Sequence, residues 1–162
     1  MIRLITKFGS KERDEDILIV VDDIKEAFKA LRELVIINES LDLHVVDYST
    51  FIRLLKEDPF YVNVLINGEH VINAMKIDNM NEIIEEAIYR AKELVDKLCR
   101  EGKNGISLAY YYLISRGIFP RNRYEVKAIL GKDKGDDFSF ICTAKDFNIV
   151  KLLSPVKAYN VD

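Results

Sequence analysis

Five apolar residues stand in unbroken succession at positions 17–21, directly after the acidic run Asp14, Glu15 and Asp16. Successive side chains of a strand point to opposite faces, so a strand with one wet face alternates apolar with polar residues. A short β-branched run that does not alternate belongs to a strand covered on both faces, in a sheet with helices packed on it. The residues around it fit that frame. Residues 1–8 form a second strand-like segment, joined to the first through Gly9-Ser10 and a charged link. After Asp22 or Asp23 as a cap, Ile24, Ala27, Phe28, Leu31, Leu34 and Val35 recur every three or four residues, which predicts a helix ending near Asn38.

The next segment, residues 41–46, reads as a third strand, followed by Ser49 as a cap and a short helix with Phe51, Leu54 and Leu55 on one side. Pro59 suits the first turn of another helix over 59–66, stopped near Gly68, and an apolar segment follows at 71–75. The order ββαβααβ predicts a small mixed sheet flanked by helices, an α/β (α+β) fold. From Met80 the pattern becomes helical for about five turns, to Leu98, with Gly102 as the stop. Further helices are expected over 106–116 and 124–130, the second capped by Asn122, with Gly117 and Gly131 as stops. Residues 138–142 and 148–153 suit either strands or a last short helix. The expected organisation is therefore residues 1–78 as the α/β part and 79–162 as a mainly helical C-terminal extension. A chain of 162 residues holds one core and an annex more readily than two large domains.

Bulk chemistry narrows the function classes. With 49% hydrophobic and 31% charged residues the chain has the balance of a globular protein. No apolar run approaches the ~20 residues of a membrane span, and the N-terminus lacks signal-peptide features, so a cytoplasmic protein without a membrane partner is expected. The net charge of -3 speaks against a wholesale electrostatic grip on nucleic acid. Cys99 and Cys142 lie far apart, with no thiol or histidine at metal-ligand spacing, and are expected to be reduced.

The chemistry concentrates around the strand of residues 17–21. Residues two apart on a strand share a face, so Asp14 and Asp16 can converge on one ion while Glu15 turns away. Carboxylates that close repel unless a cation neutralises them, and hard oxygen donors suit Mg2+ or Mn2+. Asp42 alternates with Leu41, Leu43 and Val45 on a neighbouring strand and supplies a third carboxylate. His44, on the same face, either touches the cleft or covers sheet surface, and the second role is the expected one. The acidic residues Glu12, Asp14, Glu15 and Asp16 also suit an ordinary solvated turn, and Gly9-Ser10 an ordinary glycine turn.

Gly9-Ser10 closing the first strand, Asp14 and Asp16 opening the second, and Asp42 on the third together resemble the nucleotidyltransferase superfamily, in its minimal, polymerase beta-like form. The likeness extends through Leu54-Leu55, Asp58-Pro59-Phe60, Val64-Leu65 and Gly68, and so covers about residues 1–75. It implies that Gly9 and Ser10 bind the phosphates of a nucleoside triphosphate. It implies also that Asp14, Asp16 and Asp42 hold Mg2+ or Mn2+ as the catalytic carboxylates, with a nucleoside monophosphate passing to a hydroxyl acceptor. Two features depart from the family pattern: the link from Gly9 to Asp14 is shorter, and Glu15 stands where an apolar residue is usual. These departures carry the alternative expectation of a catalytically degenerate fold acting as a nucleotide-binding or protein-interaction module.

The second half offers Tyr110, Tyr111 and Tyr112 with Arg116, Arg121, Arg123 and Lys127, either an aromatic and basic face for a nucleotide or strand, or ordinary helix packing. Consecutive helical residues lie about 100° apart, so only part of the tyrosine triplet can line one site. Residues 107–118 faintly resemble the helical domains paired with minimal nucleotidyltransferases in prokaryotic toxin and antitoxin systems, some of them RNases. That nuclease motif needs a histidine, and His44 and His70 are the only two in the chain. The annex is expected to be structural, or a face for a protein partner or a second copy of the chain.

Overall fold

A computed structural model describes residues 1–9, 15–25, 27–28, 41–132 and 135–143. Its elements are β1 (Ile2–Phe8), β2 (Glu15–Val21), β3 (Leu41–Asp47), α1 (Tyr48–Glu57), α2 (Pro59–Asn67), β4 (Glu69–Asn73), α3 (Met80–Arg100), α4 (Ile106–Ser115), α5 (Arg123–Ile129) and α6 (Phe140–Thr143). The four strands make one mixed sheet in the order β3-β2-β1-β4. β2 runs parallel to β3, and β1 is antiparallel to both β2 and β4. This is the small α/β fold that the alternation of strand and helix patterns predicts.

The apolar run of β2 is covered on both faces. Ile17, Ile19 and Val21 pack with Ile5, Leu43, Val45, Ile24 and Ala27 on one side. Leu18 and Val20 join Leu4, Phe51, Leu55 and Val62 on the other, beneath the helices. Residues 24, 25, 27 and 28 are helical, and the rest of the helix expected to end near Asn38 lies outside the described residues.

Local chemistry sets the helix ends. Asp47, not Ser49, caps α1: its carboxylate accepts from the Thr50 amide at 2.7 Å and from the Ser49 hydroxyl at 3.0 Å. β3 runs to Asp47 and hands the chain to the helix two residues earlier than expected, which puts the stronger acceptor at the N-cap. Asp58 caps α2 by accepting from the Phe60 amide at 2.9 Å, with Pro59 opening the helix. Gly68 ends α2 with an ordinary φ of -63°, so its glycine answers to space. A Cβ there would collide with the Thr6 hydroxyl and the Val64 carbonyl.

α3 spans two cores. Ile83, Ile84, Ala87 and Ala91 in its first half join the core under the sheet, together with Ile114 and Phe119. Val95, further along, belongs to a second core with Leu108, Leu113, Ile118, Val126, Phe138 and Ile141. A continuous core thus runs across position 78. In the tail, residues 140–143 form the short helix, while the segment 148–153 lies outside the described residues.

One expectation is overturned. Cys99 at the end of α3 and Cys142 in α6 form a disulfide, with Cα atoms 5.5 Å apart and a sequence separation of 43. The fold closes that interval because Phe138 and Ile141 bury themselves in the second core and carry Cys142 onto α3. Spacing in sequence could not reveal this pairing.

An ionic tie fastens the loop before α6 to α5. Asp136 accepts from Lys127 at 3.0 Å and from Arg123 at 3.0 Å, and these partners, Lys127 first, hold its carboxyl below the ordinary value of 3.8. A lowered carboxylate pKa contributes stability that is present above the unfolded value and is lost as pH falls through the folded one. For such an exposed network the contribution is at most about 1 kcal/mol. We expect Asp136→Asn to lower the thermal midpoint slightly above pH 5, and the difference from the parent to vanish as the pH is taken below the ordinary carboxylate range. A difference that persisted at pH 2 would place its cause outside this ion pair.

Candidate metal centre

Position along the strands decides which acidic side chains meet. In the parallel pair, Asp16 of β2 stands opposite Asp42 of β3, and His44 follows two residues on, opposite Leu18. Period two puts Asp16, Asp42 and His44 on the helix-covered face, at the end of the sheet where apolar cover gives way. One donor atom from each of the three lies within 4.8 Å of the others. The His44 Nε2 is 3.6 Å from Asp16 Oδ1 and 3.5 Å from Asp42 Oδ2. Donors around an ion at about 2.1 Å lie about 3 Å apart when adjacent and about 4.2 Å when opposite, and both His44 distances fall in that range.

The electrostatics match that geometry. Partial burial, and then the Asp42 carboxylate, push the Asp16 carboxyl above its ordinary value, while His44 acts in the opposite direction. A cation between the carboxylates would relieve the repulsion. On the other side of Asp16, β1 places Phe8 directly opposite. The Phe8 ring lies 5.6 Å from the His44 ring and 5.8 Å from Phe60, an apolar wall on one side of the imidazole. His44, expected to cover sheet surface, therefore does so through its ring while its Nε2 faces both carboxylates.

Gly9 completes the edge. Its φ of +81° is one that L side chains rarely adopt, and a Cβ on it would sit 2.8 Å from Asp16 Oδ2. Gly9→Ala is expected to cost about 1–2 kcal/mol from the left-handed backbone. It should also displace the Asp16 carboxylate, so that Mn2+ binding, followed by electron paramagnetic resonance, weakens beyond what the stability loss explains. Unchanged Mn2+ affinity would separate Gly9 from the centre.

Of the residues marked by sequence, Gly9, Asp16 and Asp42 are brought together, whereas Asp14 and Ser10 lie outside the described residues. The tyrosine triplet divides as the helical angle requires. Tyr112 is buried in the second core, the Tyr111 hydroxyl donates to Asp58 at 2.9 Å, and Tyr110 lines a cleft beside Gly9. Burial raises the Tyr110 hydroxyl to about 12, so it stays protonated at neutral pH. Arg123 and Lys127 are engaged with Asp136.

Two residues not singled out by sequence also shape this edge. Asn63, 5% exposed, donates its amide to the Pro120 carbonyl at 2.8 Å, and Asn67 donates to the Phe119 carbonyl at 2.7 Å. The signal was an asparagine among the buried apolar residues Val62, Val64 and Leu65. A buried amide there must find a partner, though the sequence does not say which.

No family model, curated protein or solved structure matches the chain.

Proposed function

We propose that the chain is a magnesium- or manganese-dependent nucleotidyltransferase, moving a nucleoside monophosphate from a nucleoside triphosphate to a hydroxyl acceptor. The observation that carries this reading is the pairing of Asp16 with Asp42 across β2 and β3, beside Gly9 at the end of β1. Two carboxylates and an imidazole with converging donors suit a divalent ion. Asp16 and Asp42 would hold it, with Asp14 as a further carboxylate and His44 as a nitrogen donor. The ion, when bound, supplies Lewis-acid stabilisation of charge on the phosphoryl oxygens.

The acceptor oxygen would bond to the α-phosphorus while the bond to the β-phosphate oxygen breaks, releasing pyrophosphate. The hydroxyl proton would pass to a carboxylate on the Asp42 side or to solvent. Gly9 and Ser10 would lie against the phosphates. A second reading, a degenerate nucleotide-binding or protein-interaction module, is favoured by the short link from Gly9 to Asp14. A protein partner or a second copy would then meet the C-terminal helices.

Among the described residues no helix is long and apolar enough to cross a membrane. A cytoplasmic location belongs to the proposal, and the Cys99–Cys142 disulfide weighs against it, since reducing compartments keep thiols apart.

The test is calorimetric titration of ATP and GTP with and without Mg2+ or Mn2+, on the parent and on the Asp16→Asn/Asp42→Asn double variant. Ion-dependent nucleotide binding that the double variant loses, followed by pyrophosphate release in an acceptor screen, is expected. Binding without any release supports the module. No nucleotide binding by a folded chain overturns the enzyme and the nucleotide-binding module, and leaves the protein-interaction module.

A further inference from the structure

We infer that the cleft joining Gly9 to Arg121 is a polyphosphate subsite, in which the Arg121 guanidinium of the helical half meets an anion anchored at the Asp16–Asp42 centre. The inference rests on reading that centre as a metal site. Phe8, Gly9, Phe60, Asn67, Tyr110 and Arg121 line the cleft, so the α/β part supplies one wall, and Tyr110 of α4 with Arg121 of the segment between α4 and α5 the other. Gly9 is also the residue packed against Asp16, which makes the cleft and the acidic edge neighbours.

Size narrows the ligand class. The cavity is about 30 Å3. A water-sized group needs about 10–15 Å3, so the space has room for two or three oxygen-sized groups, such as phosphoryl oxygens. Charge points the same way. Arg123 and Lys127 are both engaged with Asp136. Among the described residues no carboxylate pairs with Arg121, which is exposed at the cleft. A planar guanidinium with several donors suits phosphate oxygens, where it forms bidentate, charge-assisted bonds.

The guanidinium is also carried on a fixed backbone. The two carbonyls immediately before it, of Phe119 and Pro120, accept from Asn67 and Asn63, and Phe119 and Pro120 are themselves buried. Holding the main chain at this position before binding lowers the backbone part of the ordering cost. The facing carboxylates explain why the subsite would need a cation: Asp16 and Asp42 alone would repel the anion, and an ion between them reverses the sign of the field.

The experiment titrates tripolyphosphate into the full chain with and without Mn2+, using the parent, Arg121→Gln and Arg121→Lys. Binding of Mn2+ alone is measured in parallel by electron paramagnetic resonance. Expected are Mn2+-dependent binding to the parent, at least a tenfold loss in Arg121→Gln, partial recovery in Arg121→Lys, and equal Mn2+ affinity in all three. Equal tripolyphosphate affinity in the parent and Arg121→Gln, or none in either, overturns the subsite. Failure of Mn2+ to bind overturns the metal reading separately. Tripolyphosphate binding that is then lost in Arg121→Gln would leave Arg121 as an anion contact but overturn its link to the Asp16–Asp42 centre.

Discussion

Asp16→Asn is expected to leave the metal-free chain at least as stable as the parent, while removing its response to divalent cations. Without an ion, the Asp16 carboxylate is partly buried opposite a second carboxylate, an arrangement that raises its pKa and works against folding. An amide of the same shape removes the charge and keeps a hydrogen-bonding group, so the repulsion disappears with little change in packing. With an ion, the parent gains what the variant cannot. An ion held at 100 times its dissociation constant stabilises the folded state by about 2.7 kcal/mol. For a chain of this size that is an upward shift of roughly 5–11 °C in thermal midpoint, at about 2–4 °C per kcal/mol. Differential scanning fluorimetry of both proteins, in EDTA and in Mn2+, measures the two effects at once. A variant that still shifts with Mn2+ would place the ion elsewhere. One that melts well below the parent in EDTA would make Asp16 a structural residue.

The larger stability effect belongs to the disulfide. Cross-linking residues 43 apart restricts the unfolded chain by an entropy worth about 4 kcal/mol at 25 °C. Reduction, or the Cys99→Ser/Cys142→Ser pair, should therefore lower the thermal midpoint by roughly 8–16 °C on the same scale. α6 is only four residues long and cannot be stable as an isolated helix, so its place depends on the burial of Phe138 and Ile141 and on this covalent tie. Loss of the bond should loosen α6 first. The check is calorimetry with and without reductant, alongside thiol titration of the unreduced, denatured protein. Two reactive thiols, or an unchanged midpoint after reduction, would remove the disulfide from the account of stability.

Whether a feature was legible in sequence depended on whether its cause is local. The strand β2 announced itself because five apolar residues can only sit between two layers, and the long helix because its period persists for many turns. Asn122 was readable as a cap for the same reason, and its side chain accepts from the Glu125 amide. Asp42 could be paired with Asp16 in principle from alternation, but its register is set by where β3 begins, which alternation does not fix. The role of His44 depends on Phe8 standing across the sheet at the right height, a non-local fact. The Cys99–Cys142 bond and the meeting of Gly9 with Arg121 are longer-range still. The first follows from how the second core gathers Phe138 and Ile141, the second from how the helical half meets the sheet, and no spacing rule reaches across such intervals.

That docking has a mechanical corollary. A single stiff rod, α3, forms part of the wall of both cores, its first half beneath the sheet and its second among the short helices. Tension applied at one end of the molecule would be borne along the rod rather than across a hinge. Amide exchange should then find the sheet and the helical half opening as one cooperative body, not as two.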